Sequence, residues 1–247
     1  MTYCLGMRLA AGLVFVSDSR TNAGVDSVAT FRKCFVFDEA EDRAIVVLTA
    51  GNLAVTQAVI ALLEDRAASQ DAAVSIYAAT SMFEVARIVG DAVREIDARD
   101  GEHLQKHGSE FNASFIVGGQ IAGRRVRLYH LYSAGNFIEA TEETPFFQIG
   151  ETKYGKPIIE RVLTYDTALI KAAKCALVSF DSTIKSNLSV APPLDMVIIP
   201  ADRPKDLRKY RIGDSDTYFR NIRTLWGEGL NQVFTTLPDP DWLDPTL

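Results

Sequence analysis

Short strands come in clusters along this chain, helices come in pairs, and the two alternate. That order constrains the fold more than any single residue does. The N-terminal part reads as strands: Tyr3 to Leu9, the apolar run Gly12 to Val16, Phe31 to Phe37 and Ala44 to Leu48. Ala10-Ala11-Gly12 suits a hairpin turn, Thr21-Asn22-Ala23-Gly24 is turn chemistry, and Asp38 to Asp42 makes an acidic loop. A helix pair follows. Asn52 suits an N-cap for a helix from Leu53 to Ala67. Ser81-Met82-Phe83-Glu84 is a capping box, and Met82, Val85, Val89, Ala92, Val93 and Ile96 then form one apolar stripe at helical spacing. The polar segment Asp97 to Gly108 reads as loop.

Strands return at Ala113 to Val117, Arg125 to Tyr132, Phe137 to Ala140 and Phe146 to Ile149. Gly118-Gly119, Gly123 and Gly135 read as the hairpin turns between them. A second helix pair spans Tyr154 to Leu163 and Thr167 to Phe180, before a buried strand from Met196 to Ile199. A basic stretch, Arg203 to Arg211, leads to a last helix from Thr217 to Gln232, and Pro238, Pro240 and Pro245 mark an irregular tail. Runs of antiparallel strands separated by helix pairs predict two sheets packed face to face with helices on the outer faces. The expected class is an α+β layered sandwich, not a doubly wound parallel sheet. A length of 247 residues allows one large domain or two small ones. With no linker to split it, the chain reads as one domain, 1–247, carrying a C-terminal helix and tail from about residue 213.

The formal net charge of −6 argues against a general nucleic-acid binder. The N-terminus lacks a charged region ahead of an apolar core, so it is not a signal peptide. No run of apolar residues is long enough for a membrane span. Cys4, Cys34 and Cys175 are scattered and odd in number, which predicts no disulfide framework and fits a reducing compartment. The expected location is the cytoplasm, and the sequons at Asn112 and Asn187 then read as chance.

Phosphate-binding glycine motifs and a G-x-S-x-G elbow are missing. His103 and His107 sit in the polar segment without H-E-x-x-H around them, and His130 lies in an aromatic strand, so no metal site is expected. Asp214-Ser215-Asp216 reads first as an N-cap cluster for the last helix. The basic run 203–211 reads as a solvated face or an intersubunit contact. A nucleophile that needs no histidine remains. A threonine at the chain terminus can use its own α-amine as base, whose ordinary pKa of about 7.7–8 leaves a useful neutral fraction at pH 7. Thr2 occupies that position once Met1 is removed. Alone, Met-Thr proves nothing.

Its surroundings add weight: an apolar strand running into Ser17-Asp18-Ser19-Arg20, then Ala23-Gly24, Lys33 at the next strand, and Thr49-Ala50-Gly51 before the first helix. This pattern resembles the catalytic β subunits of the proteasome, and most of all the bacterial ancestral-β-subunit (Anbu) group. The resemblance covers most of the chain and is most specific over residues 2–55. It implies a four-layer αββα sandwich of the N-terminal-nucleophile hydrolases and a threonine-type peptidase. Thr2 would be the nucleophile. Lys33 would lower the pKa of the Thr2 hydroxyl and favour a neutral amine. Asp18 would hold Lys33 charged, although an Asp–Lys pair is also an ordinary structural ion pair. The Gly51 N–H would take the oxyanion, or Gly51 would simply make a tight turn.

The later part departs from the family pattern. Where β subunits carry G-S-G, this chain has Gly150-Glu151-Thr152, with Glu151 in place of the supporting serine. Where they carry D-x-x-S-G-G, it has Thr183 to Leu188: Ser186 matches the serine, Thr183 replaces the aspartate, and Asp181 lies two residues earlier. The resemblance further implies a homo-oligomer, as a ring or open ring-like spiral, acting on peptide or protein substrates. It implies no metal or organic cofactor, no nucleic acid and no membrane, and it leaves an unfoldase or adaptor partner undefined. Two other readings stay open: an assembly subunit with weak or no proteolysis, and a non-peptide amide hydrolase.

Overall fold

Ala10 and Ala11 turn the chain between β1 (Tyr3–Leu9) and β2 (Gly12–Asp18), with Leu9 opposite Gly12 and Cys4 opposite Ser17. Every residue of both strands is buried, which is why they read as apolar runs instead of clean alternation. These strands come from a computed structural model that describes residues 2–22 and 28–242, with only the backbone of Asn22 and Val28. Met1, Ala23-Gly24 of the expected turn, and Pro245 lie outside the described residues.

The chain continues through β3 (Arg20–Asn22), β4 (Val28–Thr30), β5 (Cys34–Phe37) and β6 (Arg43–Gly51), then α1 (Leu53–Ala67) and α2 (Met82–Lys106). Four strands follow: β7 (Ala113–Ile121), β8 (Arg127–Leu131), β9 (Phe137–Glu139) and β10 (Phe146–Gly150). Next come α3 (Lys156–Val162), α4 (Leu169–Ser186), β11 (Leu194–Pro200), a 3-10 turn (Pro204–Asp206), β12 (Arg208–Ile212) and α5 (Thr217–Thr236). The described strands form two five-stranded antiparallel sheets, β10-β1-β2-β11-β12 and β5-β6-β7-β8-β9, and a β3-β4 ribbon.

Period-2 sorting along the strands builds three cores. Ile45 and Val47 of β6 pack with Val55, Val59, Val85 and Val89 of α1 and α2. Tyr3, Leu5, Met7, Val14 and Val16 pack with Ala172, Ala176 and Phe180 of α4 and with Phe219 and Ile222 of α5. The intervening residues, Cys4, Leu13 and Phe15 from one sheet and Val46, Leu48 and Ile116 from the other, form the third core between strands of both sheets.

The expected N-caps form, with the Glu84 return bond shifted one residue back from Ser81 to Thr80. Asn52 Oδ1 accepts from the Ala54 and Val55 amides, and Asp216 Oδ1 accepts from Phe219 N–H. Ser81 Oγ accepts from Glu84 N–H, while the Glu84 carboxylate reaches back to Thr80 N–H at 2.7 Å.

Several expectations are corrected. Residues 97–106 are helix, not loop: α2 runs on to Lys106, held by the Glu102–Lys106 pair at i,i+4 and anchored by Leu104 against the first core. His103 is therefore helical and His107 is the C-cap. Gly118-Gly119 is no turn; both glycines are buried inside β7, opposite Val46 and Ile45. Part of the basic stretch is the edge strand β12, paired with β11. The fourth helix extends past Phe180 to Ser186, and Thr21-Asn22 belongs to β3. His130 is a half-buried strand residue whose Nε2 lies 2.9 Å from Ser114 Oγ. Among the described residues, no helix is long and apolar enough to cross a membrane.

Candidate active site

The register of β1 against β2 brings Asp18 to the start of the chain. Asp18 Oδ1 accepts the Tyr3 N–H at 3.0 Å, one peptide after Thr2. Lys33 stands just before β5 and is buried. Its Nζ donates to both Asp18 oxygens, at 2.9 and 3.0 Å, and to the Arg20 carbonyl. Among the described residues three acceptors surround this nitrogen, and an ammonium has a donor for each. Burial pushes the Asp18 carboxyl above its ordinary value, while the Lys33 charge and the Tyr3 amide pull it down.

Two contacts tie this group to the second sheet. The Lys33 carbonyl accepts from Thr49 N–H at 2.9 Å, and Cys4 Sγ donates to the Thr49 carbonyl at 3.5 Å. Two residues on, Gly51 ends β6 with φ +114°, and a Cβ there would stand 2.3 Å from the Asn112 carbonyl oxygen. Only glycine fits that junction. Cys4 is no competing nucleophile: burial and the Asp18 charge hold its thiol well above the ordinary value.

Thr2 itself is half-buried. Its carbonyl accepts from Glu151 N–H at 2.7 Å. Gly150 has φ +82°, and a Cβ on it would lie 2.0 Å from the Thr2 oxygen. The next residue is fastened from below. The Tyr3 hydroxyl lies 2.7 Å from Ser179 Oγ on α4 and accepts from Gln148 Nε2, while its ring stacks on Phe180 at 4.4 Å. Burial pushes that phenol up to about 12.

The sequence-selected residues therefore divide. Thr2, Asp18, Lys33 and Glu151 come together around the first peptide groups. Gly51 ends the strand that Lys33 is bonded to. Asp181 turns elsewhere: its Oδ1 accepts from Arg223 Nε on α5 at 2.8 Å. Thr183 donates to the Ser179 carbonyl of its own helix. Ser186 is exposed at the end of α4. Its neighbour Asn187 donates from Nδ2 to Glu151 Oε2 at 2.9 Å. Tyr3, Ser179 and Asn187 are parts of the setting that sequence reasoning did not assign. Only the contacts themselves, 176 and 36 residues apart in the chain, reveal them. Among the described residues, no group of three or more His, Cys, Asp or Glu is arranged to hold a metal ion.

No protein-family model and no curated protein matches the chain. Among solved structures, it is similar to Anbu (ancestral beta-subunit) from Yersinia bercovieri at 50% identity, over 98% of this chain and 100% of that one, with TM-score 0.91. It is similar to the Anbu complex of Pseudomonas aeruginosa, solved as a helical assembly, at 49% identity over 97% and 98% of the two chains, TM-score 0.92. Anbu from Hyphomicrobium sp. strain MC1 matches at 47% identity over 97% and 99%, TM-score 0.87.

Proposed function

The chain belongs to the Anbu family of bacterial proteasome homologues, and from that premise we propose an N-terminal-threonine peptidase that assembles into a self-compartmentalising homo-oligomer in the cytoplasm. The observation that carries this reading is the buried Lys33 ammonium. It is bound to Asp18, which also holds the amide that follows Thr2. A buried ion pair is weak as a stabilising device. Beside a terminal threonine it has an electrostatic use.

In the proposed reaction, loss of Met1 frees the Thr2 α-amine. The amine takes the Oγ proton as Oγ attacks a substrate carbonyl. The Lys33 charge favours both the developing alkoxide and a neutral amine. The oxyanion of the tetrahedral intermediate is placed at the Gly51 N–H. The peptide C–N bond then breaks, and the leaving amine takes the proton from the Thr2 ammonium. Water hydrolyses the resulting acyl-enzyme, with the same amine as base. The three separate cores support a four-layer αββα sandwich over one domain, 1–247. The helical assembly of the Pseudomonas aeruginosa relative supports a ring or spiral of identical subunits.

One observation favours a second reading, an assembly subunit with little proteolysis. Glu151 replaces the supporting serine and, beside Thr2, accepts from Asn187 and pairs with Lys153 at 3.7 Å. Mass spectrometry of the purified protein separates the two. The peptidase requires a free Thr2 amine, a single covalent adduct of a proteasome-type electrophile on Thr2, and peptide turnover that Thr2→Ala abolishes. Retained Met1, or unchanged turnover in Thr2→Ala, eliminates the proposed mechanism. A substrate panel with non-peptide amides tests the remaining hydrolase reading.

A further inference from the structure

The first half of α5 is packed and the second half is not. Phe219 and Ile222 are buried against α4, and Asp181 holds Arg223. Beyond Trp226, the helix continues with Leu230, Val233 and Phe234 on one stripe, all exposed, and Leu237 follows as the exposed C-cap. The tail that follows, Leu237 to Trp242, is exposed throughout, and Trp242 is 79% accessible. Such an apolar stripe on a helix is the signature of a face made for burial.

An apolar groove of about 440 Å³ opens between α3, α4 and α5, within the usual range for ligand sites of about 300–1,000 Å³. Ile158, Val162, Val178, Ile222, Leu225 and Trp226 line it. Lys171 and Lys174 stand exposed at its rim, and among the described residues neither has an ion-pair partner. The tail carries the opposite pattern. In Pro238-Asp239-Pro240-Asp241-Trp242, two carboxylates precede a tryptophan, and prolines limit the backbone freedom lost on docking. Phe234 does not reach the groove of its own copy, because α5 holds it about 12 Å along the helix axis beyond Trp226. From Trp226, α5 carries the chain about 15 Å further along its axis before the tail begins, and Leu237 leaves in an extended conformation.

We infer that the segment from Phe234 to Trp242 of one copy docks in the α3–α4–α5 groove of a second copy, with Asp239 and Asp241 meeting Lys171 and Lys174. The contact is heterologous, joining different surfaces on the two copies. It propagates as a ring if the rotation closes and as a helix if it does not. The inference rests on the homo-oligomer reading and gives that reading a specific joint.

A zero-length carboxyl-to-amine cross-linker tests it on a mixture of isotopically light and heavy full-length protein. The expected products join Lys171 or Lys174 to Asp239 or Asp241 with mixed labels. Charge reversal gives the second arm. Lys171→Glu/Lys174→Glu and Asp239→Lys/Asp241→Lys each weaken assembly at least tenfold by light scattering, and the combined protein regains most of it. All these side chains are exposed, so the fold is retained. An assembled protein giving same-label cross-links only, or showing no regain in the combined variant, overturns the joint but leaves the oligomer standing. A wild-type protein that stays monomeric at every concentration overturns both.

Discussion

Lys33 Nζ donates to both carboxylate oxygens of Asp18, at 2.9 and 3.0 Å, and the Asp18 side chain has no exposed surface at all. Removing one partner leaves the other charge buried and uncompensated. Asp18→Ala should therefore cost about 3–5 kcal/mol in urea unfolding. The double variant Asp18→Ala/Lys33→Met should be more stable than Asp18→Ala alone, because no orphaned ammonium remains. Both variants should lose electrophile labelling of Thr2. If the double variant labels at the wild-type rate, the pair is structural only.

Gly150 makes a second, independent prediction. Its left-handed backbone alone costs an alanine about 1–3 kcal/mol. The added Cβ also meets the Thr2 carbonyl at 2.0 Å, so Thr2 must move. A displacement near 1 Å can cost about a hundredfold in rate. Gly150→Ala should thus slow Thr2 labelling far more than its loss of stability explains. Comparing labelling rates well below the unfolding temperature checks this.

The parts of the molecule that announced themselves in sequence are those with local causes. β1 and β2 were readable because an apolar run stops at a two-residue turn. Asp18 and Lys33 were readable because their distances along the chain from Thr2 match a family pattern, although only the β1–β2 register shows how Asp18 reaches Tyr3. What stayed hidden depends on neighbours far off in the chain. Residues 97–106 looked like loop because a solvent-facing helix needs no apolar stripe. β12 looked like a charged face because it is one: four of its five residues are exposed on a sheet edge, where basic side chains discourage further pairing. Gly118-Gly119 signalled a turn, yet the pair sits in mid-strand where Phe15 crowds Gly118 from the opposite sheet. The replaced supporting residues could be spotted by alignment to a motif, but the Glu151–Asn187 bond could not.

His130 gives the molecule a pH dependence of predictable sign. Partial burial lowers its pKa below the ordinary 6.5, so the folded state favours the neutral ring. The unfolded chain takes up its proton first as pH falls. The His130 contribution to stability is therefore complete above 6.5 and declines as pH drops from 6.5 through the folded value. His130→Gln should flatten that part of the profile. Urea midpoints measured from pH 7.5 down to 5 for both proteins check it, and parallel curves would show that other groups carry the dependence.

Asp181 and Arg223 separate the role of α5 from the chemistry at Thr2. Their bond of 2.8 Å fastens the helix to α4 alongside Phe219 and Ile222. Arg223→Met removes a donor from a carboxylate whose side chain is only 11% exposed. The cost of leaving such an acceptor short of a partner is about 1–3 kcal/mol. That loss should appear locally. Amide hydrogen exchange should quicken along the first turns of α5, while the amides of β1 and β2 and the rate of Thr2 labelling stay as in the wild type. An equal slowing of Thr2 labelling would instead place Asp181 in the support of the nucleophile, through α4 and the Ser179–Tyr3 contact.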